Sequence, residues 1–117
     1  MVKSYKDLDV WRRSISIVKE VYLVTKKYPK EEIFTLVSQM RRAAISIPSN
    51  IAEGKSRHSK KEYIQFLYIA LGSISELETQ IMISKELDYI KNGIENDILD
   101  ELDQIGKMLR SLINKLK

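Results

Sequence analysis

Few residues in this chain of 117 residues could carry catalysis or hold a metal ion, because it has one histidine and no cysteine. A di-iron bundle would need paired Glu-x-x-His motifs, but the residue three positions before His58 is Lys55. A nucleophile–His–acid arrangement would also have to use His58, in a short basic stretch typical of an exposed loop. Glu76 and Glu78 are two positions apart and do not face one another on a helix. We therefore predict no catalytic, metal or cofactor site and no enzymatic activity.

The positive charge is concentrated in the first half of the chain. Residues 1–61 hold 14 Lys/Arg and 6 Asp/Glu, a net +8, whereas residues 62–117 hold 6 and 10, a net −4. A basic surface suits the phosphate backbone of a nucleic acid. We predict nucleic-acid contacts from eight basic residues: Arg12, Arg13, Lys26, Lys27, Lys55, Arg57, Lys60 and Lys61.

The same charge split has two other interpretations. The basic half of one copy could meet the acidic half of another copy or of a different protein. The chain would then be a scaffold or protein-interaction module without nucleic-acid binding. The split could also be ordinary scatter of surface charge, and composition alone leaves these alternatives open.

Four amphipathic helices are predicted from the spacing of apolar residues and from the residues that start and stop helices. The predicted spans are about 9–27, from 30–32 to 54, 59–89 and 94–116. Gly54 is expected to cap the second helix in the left-handed conformation. The other boundaries are a proline, a capping box and an Asn-Gly turn: Pro29, Ser59 with Glu62, and Asn92-Gly93.

Each predicted helix has an apolar stripe at three- and four-residue spacing, the face that packs into a core. In chain order the stripes are Leu8, Trp11, Ile15, Val18 and Tyr22, widened by Ile17, Val21 and Val24; Ile33, Leu36, Met40, Ala44, Ile47 and Ile51; Tyr63, Leu67, Ala70, Ile74, Leu77 and Ile81; and Ile98, Leu102, Ile105, Leu109, Leu112 and Leu116. They predict an all-α fold, an antiparallel up-down-up-down four-helix bundle, in one domain over residues 1–117. Without a signal core or a membrane span of roughly 20 apolar residues, we expect a cytoplasmic protein.

The stretch QMRRAAISIPSNIAEGKSR, residues 39–57, carries more than a core stripe. Pro48 removes a backbone hydrogen bond and is expected to bend the helix, with Asn50 and Glu53 as buttresses. Arg42 is expected to line a subunit contact. Beside the core stripe lies a band of small or hydrogen-bonding residues: Gln39, Ala43, Ser46, Ser49 and Asn50. This band fits either a solvated outer face or an oligomer interface, because small residues let a second backbone approach closely.

The run SQMRRAAISIPSNIAEGKSR, followed by EYIQFLYIALGSISELETQI, resembles the four-helix-bundle family encoded within intervening sequences of bacterial 23S ribosomal RNA genes. The resemblance covers about residues 5–90. It favours the oligomer-interface interpretation, and the motif and interface residues on this chain are Gln39, Arg41, Arg42, Ser46, Pro48, Asn50, Glu53 and Gly54.

The resemblance implies a ring-like homo-oligomer, expected to be a pentamer, and its ribosomal gene context favours RNA as the nucleic acid. The architecture is also similar to the accessory proteins of diversity-generating retroelements, which bind nucleic acid and a reverse transcriptase. A reverse transcriptase is therefore a candidate protein partner.

Overall fold

Four α-helices form most of the chain in the computed structural model, which describes residues 3–91 and 93–117. They are α1, Asp9–Thr25; α2, Ser38–Lys55; α3, Lys60–Glu86; and α4, Ile94–Leu116. Short helical turns precede α1 and α2: a 3-10 turn, Tyr5–Asp7, then a 3-10 turn, Lys30–Glu32, that leads into a π-helical turn, Ile33–Val37. The described residues contain no strand. The predicted all-α fold with four helices is confirmed.

α3 contributes a continuous buried face to the core. All six residues of its predicted stripe are buried, from Tyr63 at 9% exposure to Leu67 and Leu77 at 0%. α3 packs against α2 and α4, and α1 also packs against α2 and α4, so one core lies among the four helices. Burying one Leu or Ile side chain contributes about 1.5–3 kcal/mol.

The predicted apolar face of α1 is confirmed in part. Ile17 and Val21, predicted to widen the stripe, are buried together with two polar residues, Ser14 and Thr25, whereas Ile15, predicted to be in the core, is 44% exposed. Each of these two hydroxyl groups donates a 2.7 Å hydrogen bond to a backbone carbonyl of the preceding turn. Burial then costs little, because the polar group is satisfied. The other predicted residues are half-buried at the edge of the core: Leu8, Trp11, Val18, Tyr22 and Val24.

The prediction of a regular helix from Lys30–Glu32 onward is also wrong. In a π-helical turn each amide bonds five residues back instead of four, so one extra residue rotates the preceding chain by about 100°. Ile33, predicted to be in the core, is 46% exposed, and Phe34 is 91% exposed. Leu36 is half-buried, and the rest of the α2 stripe is buried as predicted: Met40, Ala44, Ile47 and Ile51.

α3 ends at Glu86, three residues before the predicted end. Asp88 adopts a left-handed conformation with φ of 60°, and the amide of Tyr89 donates to the carbonyl of Ser84 at 2.9 Å. This is a Schellman motif, which usually has glycine at the left-handed position. An aspartate there gives little sequence signal, although its short side chain tolerates the conformation better than most.

α4 begins directly after Gly93, whose φ of 96° is readily adopted only by glycine. Asn92, the other residue of the predicted turn, lies outside the described residues. The first four stripe residues of α4 are buried as predicted: Ile98, Leu102, Ile105 and Leu109. Near the end of the helix Ile113 is buried, while Leu112 and Leu116 are half-buried.

An ion pair between exposed Lys85 and buried Glu95, together with two tyrosines, fastens the end of the bundle where α3 meets α4, called here the Tyr28 end. Lys85 Nζ lies 2.5 Å from Glu95 Oε1, and Glu95 is 3% exposed. The hydrogen bond from Lys85 lowers the pKa of Glu95 below its usual value of 4.5. The rings of Tyr28 and Tyr89 lie 5.3 Å apart, and Tyr89 Oη donates to Glu32 at 2.9 Å.

The contribution of the Lys85–Glu95 pair to folding stability should be measurable as a dependence of stability on acidic pH. Because the folded-state pKa of Glu95 is lowered, its contribution to stability is present above pH 4.5 and is lost as the pH falls through that lower pKa. We expect Glu95→Gln to lower stability at pH 7 and to remove this part of the acid dependence. Urea unfolding between about pH 2 and 7 measures both effects.

Lys85→Met is the matched comparison for this experiment. It leaves the buried carboxylate of Glu95 without its ammonium partner, so protonation should then stabilise the fold. The stability difference between Lys85→Met and wild type should therefore shrink on acidification. Identical acid dependence in wild type and Glu95→Gln would contradict the assigned role of the pair.

Candidate nucleic-acid interface and the α2 motif

The connection between α2 and α3 gathers four of the eight predicted nucleic-acid contacts, and these four residues are called the basic loop. Lys55 is the last residue of α2, Arg57 lies in the connection, and Lys60 and Lys61 form the start of α3. All but Lys55 are classed as exposed, and Lys55 is half-buried. Four cations therefore lie within seven consecutive residues at one end of the bundle.

The start of α3 is fixed by Ser59, whose hydroxyl accepts a 3.1 Å hydrogen bond from the amide of Glu62. This half of the predicted capping box is confirmed, whereas a return bond to the Glu62 carboxylate is not found among the described residues. The cap places Lys60 and Lys61 in the first turn. The helix dipole adds partial positive charge at the same place, although lysines there are unfavourable for the isolated helix. His58 is exposed beside them, as expected for a loop residue.

Two cations of the basic loop are held over aromatic rings of α3. The Arg57 guanidinium lies 4.8 Å from the centre of the Phe66 ring and donates to Glu53 Oε2 at 3.1 Å. Lys55 Nζ lies 5.9 Å from the centre of the Tyr63 ring. Such cation–π contacts contribute about 0.5–1 kcal/mol at exposed sites. They orient both charges before any ligand binds.

Arg12 and Arg13 have partners within the chain. Arg13 forms a bidentate pair with Glu101 of α4, with Nε–Oε2 at 2.8 Å and Nη2–Oε1 at 2.6 Å, which raises the pKa of its guanidinium. Arg12 pairs with Asp9 and donates to the carbonyl of Lys6 at 2.9 Å. Both predicted phosphate contacts are thus already engaged with carboxylates of their own chain.

Lys26 and Lys27 lie far from the basic loop. They follow the last residue of α1 at the Tyr28 end and are exposed. α2 starts near that end and reaches Lys55 after 18 residues, a length of about 27 Å at 1.5 Å per residue. The eight predicted basic residues therefore do not form one surface.

The band of small residues on α2 packs partly against α3 of the same chain. Ser46 Oγ lies 2.8 Å from Ser73 Oγ on α3, and Asn50 Nδ2 donates to both the carbonyl and the hydroxyl of Ser46 at 2.8 Å. Ala43 is 3% exposed. These residues close the contact between two helices of one chain, which neither interpretation of the band had included.

Gly54 is not the predicted left-handed cap of α2. The helix continues to Lys55, and its C-cap residue Ser56 has a right-handed φ of −82°. A Cβ atom on Gly54 would lie 2.8 Å from Phe66 Cβ and 3.0 Å from Tyr63 Cδ1. Glycine is required here because α3 passes too close for any side chain.

Pro48 is buried inside α2, which continues through it without interruption. It lines a groove of about 290 Å³ between α1 and α2, where Tyr5 and Trp11 are on the α1 side. Glu53 is bonded to Arg57 and so braces the basic loop. Its described contact is therefore one turn away from the expected buttress at Pro48.

The two neighbouring arginines of the motif have different environments. Arg41 lies 4.3 Å from the centre of the Tyr22 ring and its Nε donates to Thr25 Oγ1 at 3.0 Å, which ties α2 to α1. Arg42 is exposed and has no ion pair among the described residues. It lines a polar groove of about 490 Å³ between α2 and α3 with other polar residues: Gln39, Ser46 and Glu76.

Several α3 residues that shape these surfaces were not recognised as such from the sequence. Tyr63 belongs to the predicted core stripe and Phe66 to no predicted surface, yet their rings support Lys55 and Arg57. Ser73 was not singled out. The sequence does contain a signal for this contact. Ala70 and Ser73 are small residues three positions apart on α3, so they lie on one face that can meet the small residues of α2.

The described residues offer no group of His, Asp and Glu that could hold a metal ion, and within residues 3–91 and 93–117 no helix is long and apolar enough to cross a bilayer. The fold is that of a four-helix bundle protein in which α2 and α3 pack closely together and are joined by the basic loop.

The model of the 23S rRNA-intervening sequence protein family matches residues 6–111, and the chain belongs to this family. The match includes most of α4, beyond the resemblance over residues 5–90. A crystal structure of a protein with unknown function from the S23 ribosomal protein family of Bacteroides thetaiotaomicron is similar. It has 28% sequence identity and a TM-score of 0.80, covering 89% of this chain and 97% of that chain. No curated protein matches this chain.

Two glycine substitutions should have opposite effects on stability. Gly54→Ala should lose about 1–2 kcal/mol, because overpacking against the backbone-anchored atoms of Phe66 and Tyr63 exceeds the gain in helix propensity. Gly72→Ala in α3 should gain about 0.5–1 kcal/mol, since nothing lies within 4 Å of the new Cβ. Chemical denaturation measures both, and equal effects at the two sites would refute the close α2–α3 approach at Gly54.

Proposed function

We propose that this protein is a non-enzymatic, cytoplasmic homo-oligomer that binds nucleic acid through the basic loop, with RNA preferred. The observation that carries the proposal is the cluster of Lys55, Arg57, Lys60 and Lys61 around the first turn of α3. Only Arg57 has a described carboxylate partner, Glu53, and that pair is exposed to solvent. Exposed ion pairs are weak enough for a phosphate to compete with them.

The expected recognition is of the nucleic-acid backbone rather than of bases. Tyr63 is buried and Phe66 half-buried, and both rings already carry cations, so neither offers an open face for base stacking. Phosphate contacts alone position a ligand without reading its sequence. The family's link to 23S ribosomal RNA genes supports RNA as the natural class of ligand.

The proposed assembly is a ring, a pentamer, built from subunits whose helices alternate in direction. The contacts at the two ends of the bundle support the antiparallel arrangement. The support for self-association is a set of exposed apolar residues along α3 and at its C-cap, each 43–51% exposed: Ile69, Ile83 and Leu87. A ring would repeat the basic loop and raise the apparent affinity for a long nucleic acid by avidity.

A scaffold without nucleic-acid binding is the second candidate, and a specific acidic surface favours it. Glu20 and Asp97 line a groove of about 320 Å³ between α1 and α4, beside Glu101, which is paired with Arg13. The basic loop of another copy, or a basic region of a protein such as a reverse transcriptase, could dock there. This candidate predicts association that weakens with salt in the absence of nucleic acid.

The affinity for nucleic acid should depend on the basic loop and not on the net charge of the protein. We expect wild-type protein to bind labelled single-stranded RNA in fluorescence anisotropy with an affinity that falls as salt increases. Lys60/Lys61→Ala should weaken binding and reduce the slope of log K against log salt by about 1 for each lysine that contacts phosphate. Lys26/Lys30→Ala removes the same charge at the Tyr28 end and should leave binding and slope nearly unchanged.

The same titration with single- and double-stranded DNA tests the preference for RNA. Equal losses in the two double variants would mean that non-specific attraction to the net charge, and not the basic loop, causes binding. No binding at low salt by an intact oligomer would reject the nucleic-acid proposal and leave the scaffold.

A further inference from the structure

An apolar knob projects from the Tyr28 end of the bundle. Phe34 is 91% exposed and Ile33 is 46% exposed, and both belong to the π-helical turn before α2. Covering such a side chain with a partner would contribute about 1.5–3 kcal/mol. Glu31, three residues before Phe34, is also exposed and has no ion pair among the described residues.

An apolar groove lies at the same end of the molecule. It has a volume of about 420 Å³ and is bounded by the end of α1, the α3–α4 connection and the start of α4. Its apolar lining is formed by Leu23, Val24, Pro29, Tyr89, Ile90 and Ile94. Lys27 and Lys91 lie on its rim with one carboxylate, Asp88, and neither lysine has an ion pair among the described residues. Leu23 is 46% exposed and Ile94 40% exposed, so the groove is open to solvent.

We propose that the knob of one copy, Ile33 and Phe34, docks in this groove of a second copy. The inference rests on the proposed homo-oligomer and identifies one of its contacts. The two surfaces match in polarity, because an apolar projection would meet an open apolar cleft. The charges are also complementary, because Glu31 beside the knob would meet the rim lysines Lys27 and Lys91.

The placement of the two surfaces suits repeated association. Knob and groove are different patches, so each copy can offer its knob to one neighbour and its groove to another. Both patches lie at the Tyr28 end, so neighbouring bundles would stand side by side at the same height. The basic loops would then all face the opposite side of the assembly, available to one long nucleic acid.

The knob anchors the contact and does not supply all of it. A buried phenylalanine covers about 150–250 Å², whereas a stable interface buries about 1,200–2,000 Å² in total. The exposed apolar residues along α3 and at its C-cap, Ile69, Ile83 and Leu87, can add buried area to the interface. Anchor residues of this kind lie in desolvated pockets, and truncating one of them to alanine removes much of the binding energy of the complex.

The first test is the mass of the protein across a concentration series, by sedimentation and light scattering. Wild type should associate, and Phe34→Ala should raise the dissociation constant by about 30-fold or more. Met82→Ala, which truncates a 52% exposed apolar residue of α3 outside both surfaces, should associate like wild type. Circular dichroism should show both variants fully helical, because neither residue is buried.

A mixing experiment tests which surfaces meet. Phe34→Ala lacks the knob but keeps the groove, whereas Leu23→Glu keeps the knob but places a carboxylate in the groove, facing Glu31 of a neighbour. Each variant alone should be monomeric. An equimolar mixture should form pairs of twice 13.6 kDa and nothing larger, since only one intact contact remains.

The outcomes separate this contact from the proposed function. If wild type associates while Phe34→Ala keeps the same mass, or if the mixture stays monomeric, the knob and groove are not the contact, and the oligomer and its nucleic-acid binding stand. If wild type is monomeric at all concentrations, both the contact and the homo-oligomer are wrong. A monomeric Phe34→Ala that still binds RNA with a salt-dependent but lower affinity supports both proposals.

Discussion

The close approach of α2 and α3 is the constraint on which the rest of the molecule depends. Gly54, Ala43 and the Ser46–Ser73 pair leave so little volume between the helices that the backbones nearly touch at one end. Because Tyr63 and Phe66 follow directly in α3, this approach also brings their rings under the cations of the connecting loop. The close helix contact at that end therefore also positions the cation–π pairs, and a larger residue at position 54 would disturb both.

Much of the fold could be predicted from the sequence, and the failures have physical causes. The α3 stripe was predicted fully because a long helix with regular Leu and Ile spacing has one way to bury them. In α1 the buried face runs through Ile17 and Val21 and leaves Ile15 exposed, because Ser14 and Thr25 can be buried with their hydroxyl groups bonded to their own helix. Gly54 was misassigned because a glycine near a helix end fits both a cap and a close contact. Only the position of α3, which is not local information, decides between them.

The candidate site was harder to predict because a charge count does not distinguish free cations from paired ones. The first half of the chain has a net +8, yet Arg13 is matched by Glu101 from the acidic half, and Arg41 is held by Tyr22 and Thr25. Such long-range contacts use basic residues of the first half of the chain to hold the helices together, so these residues are not free to bind a ligand. The densest group of cations left for a ligand is the short connection, where Arg57 alone has a described carboxylate partner.

The π-helical turn before α2 makes the direction of a side chain depend on chain length. One residue more than an α-helix needs is accommodated within Ile33–Val37, and it turns Phe34 away from the core. Removing a single residue from this turn would restore the α-helical repeat and rotate the preceding segment by about 100°. Relatives of this chain could thus gain or lose an exposed aromatic through insertion or deletion alone, while the side chains of α2 beyond the turn keep their faces.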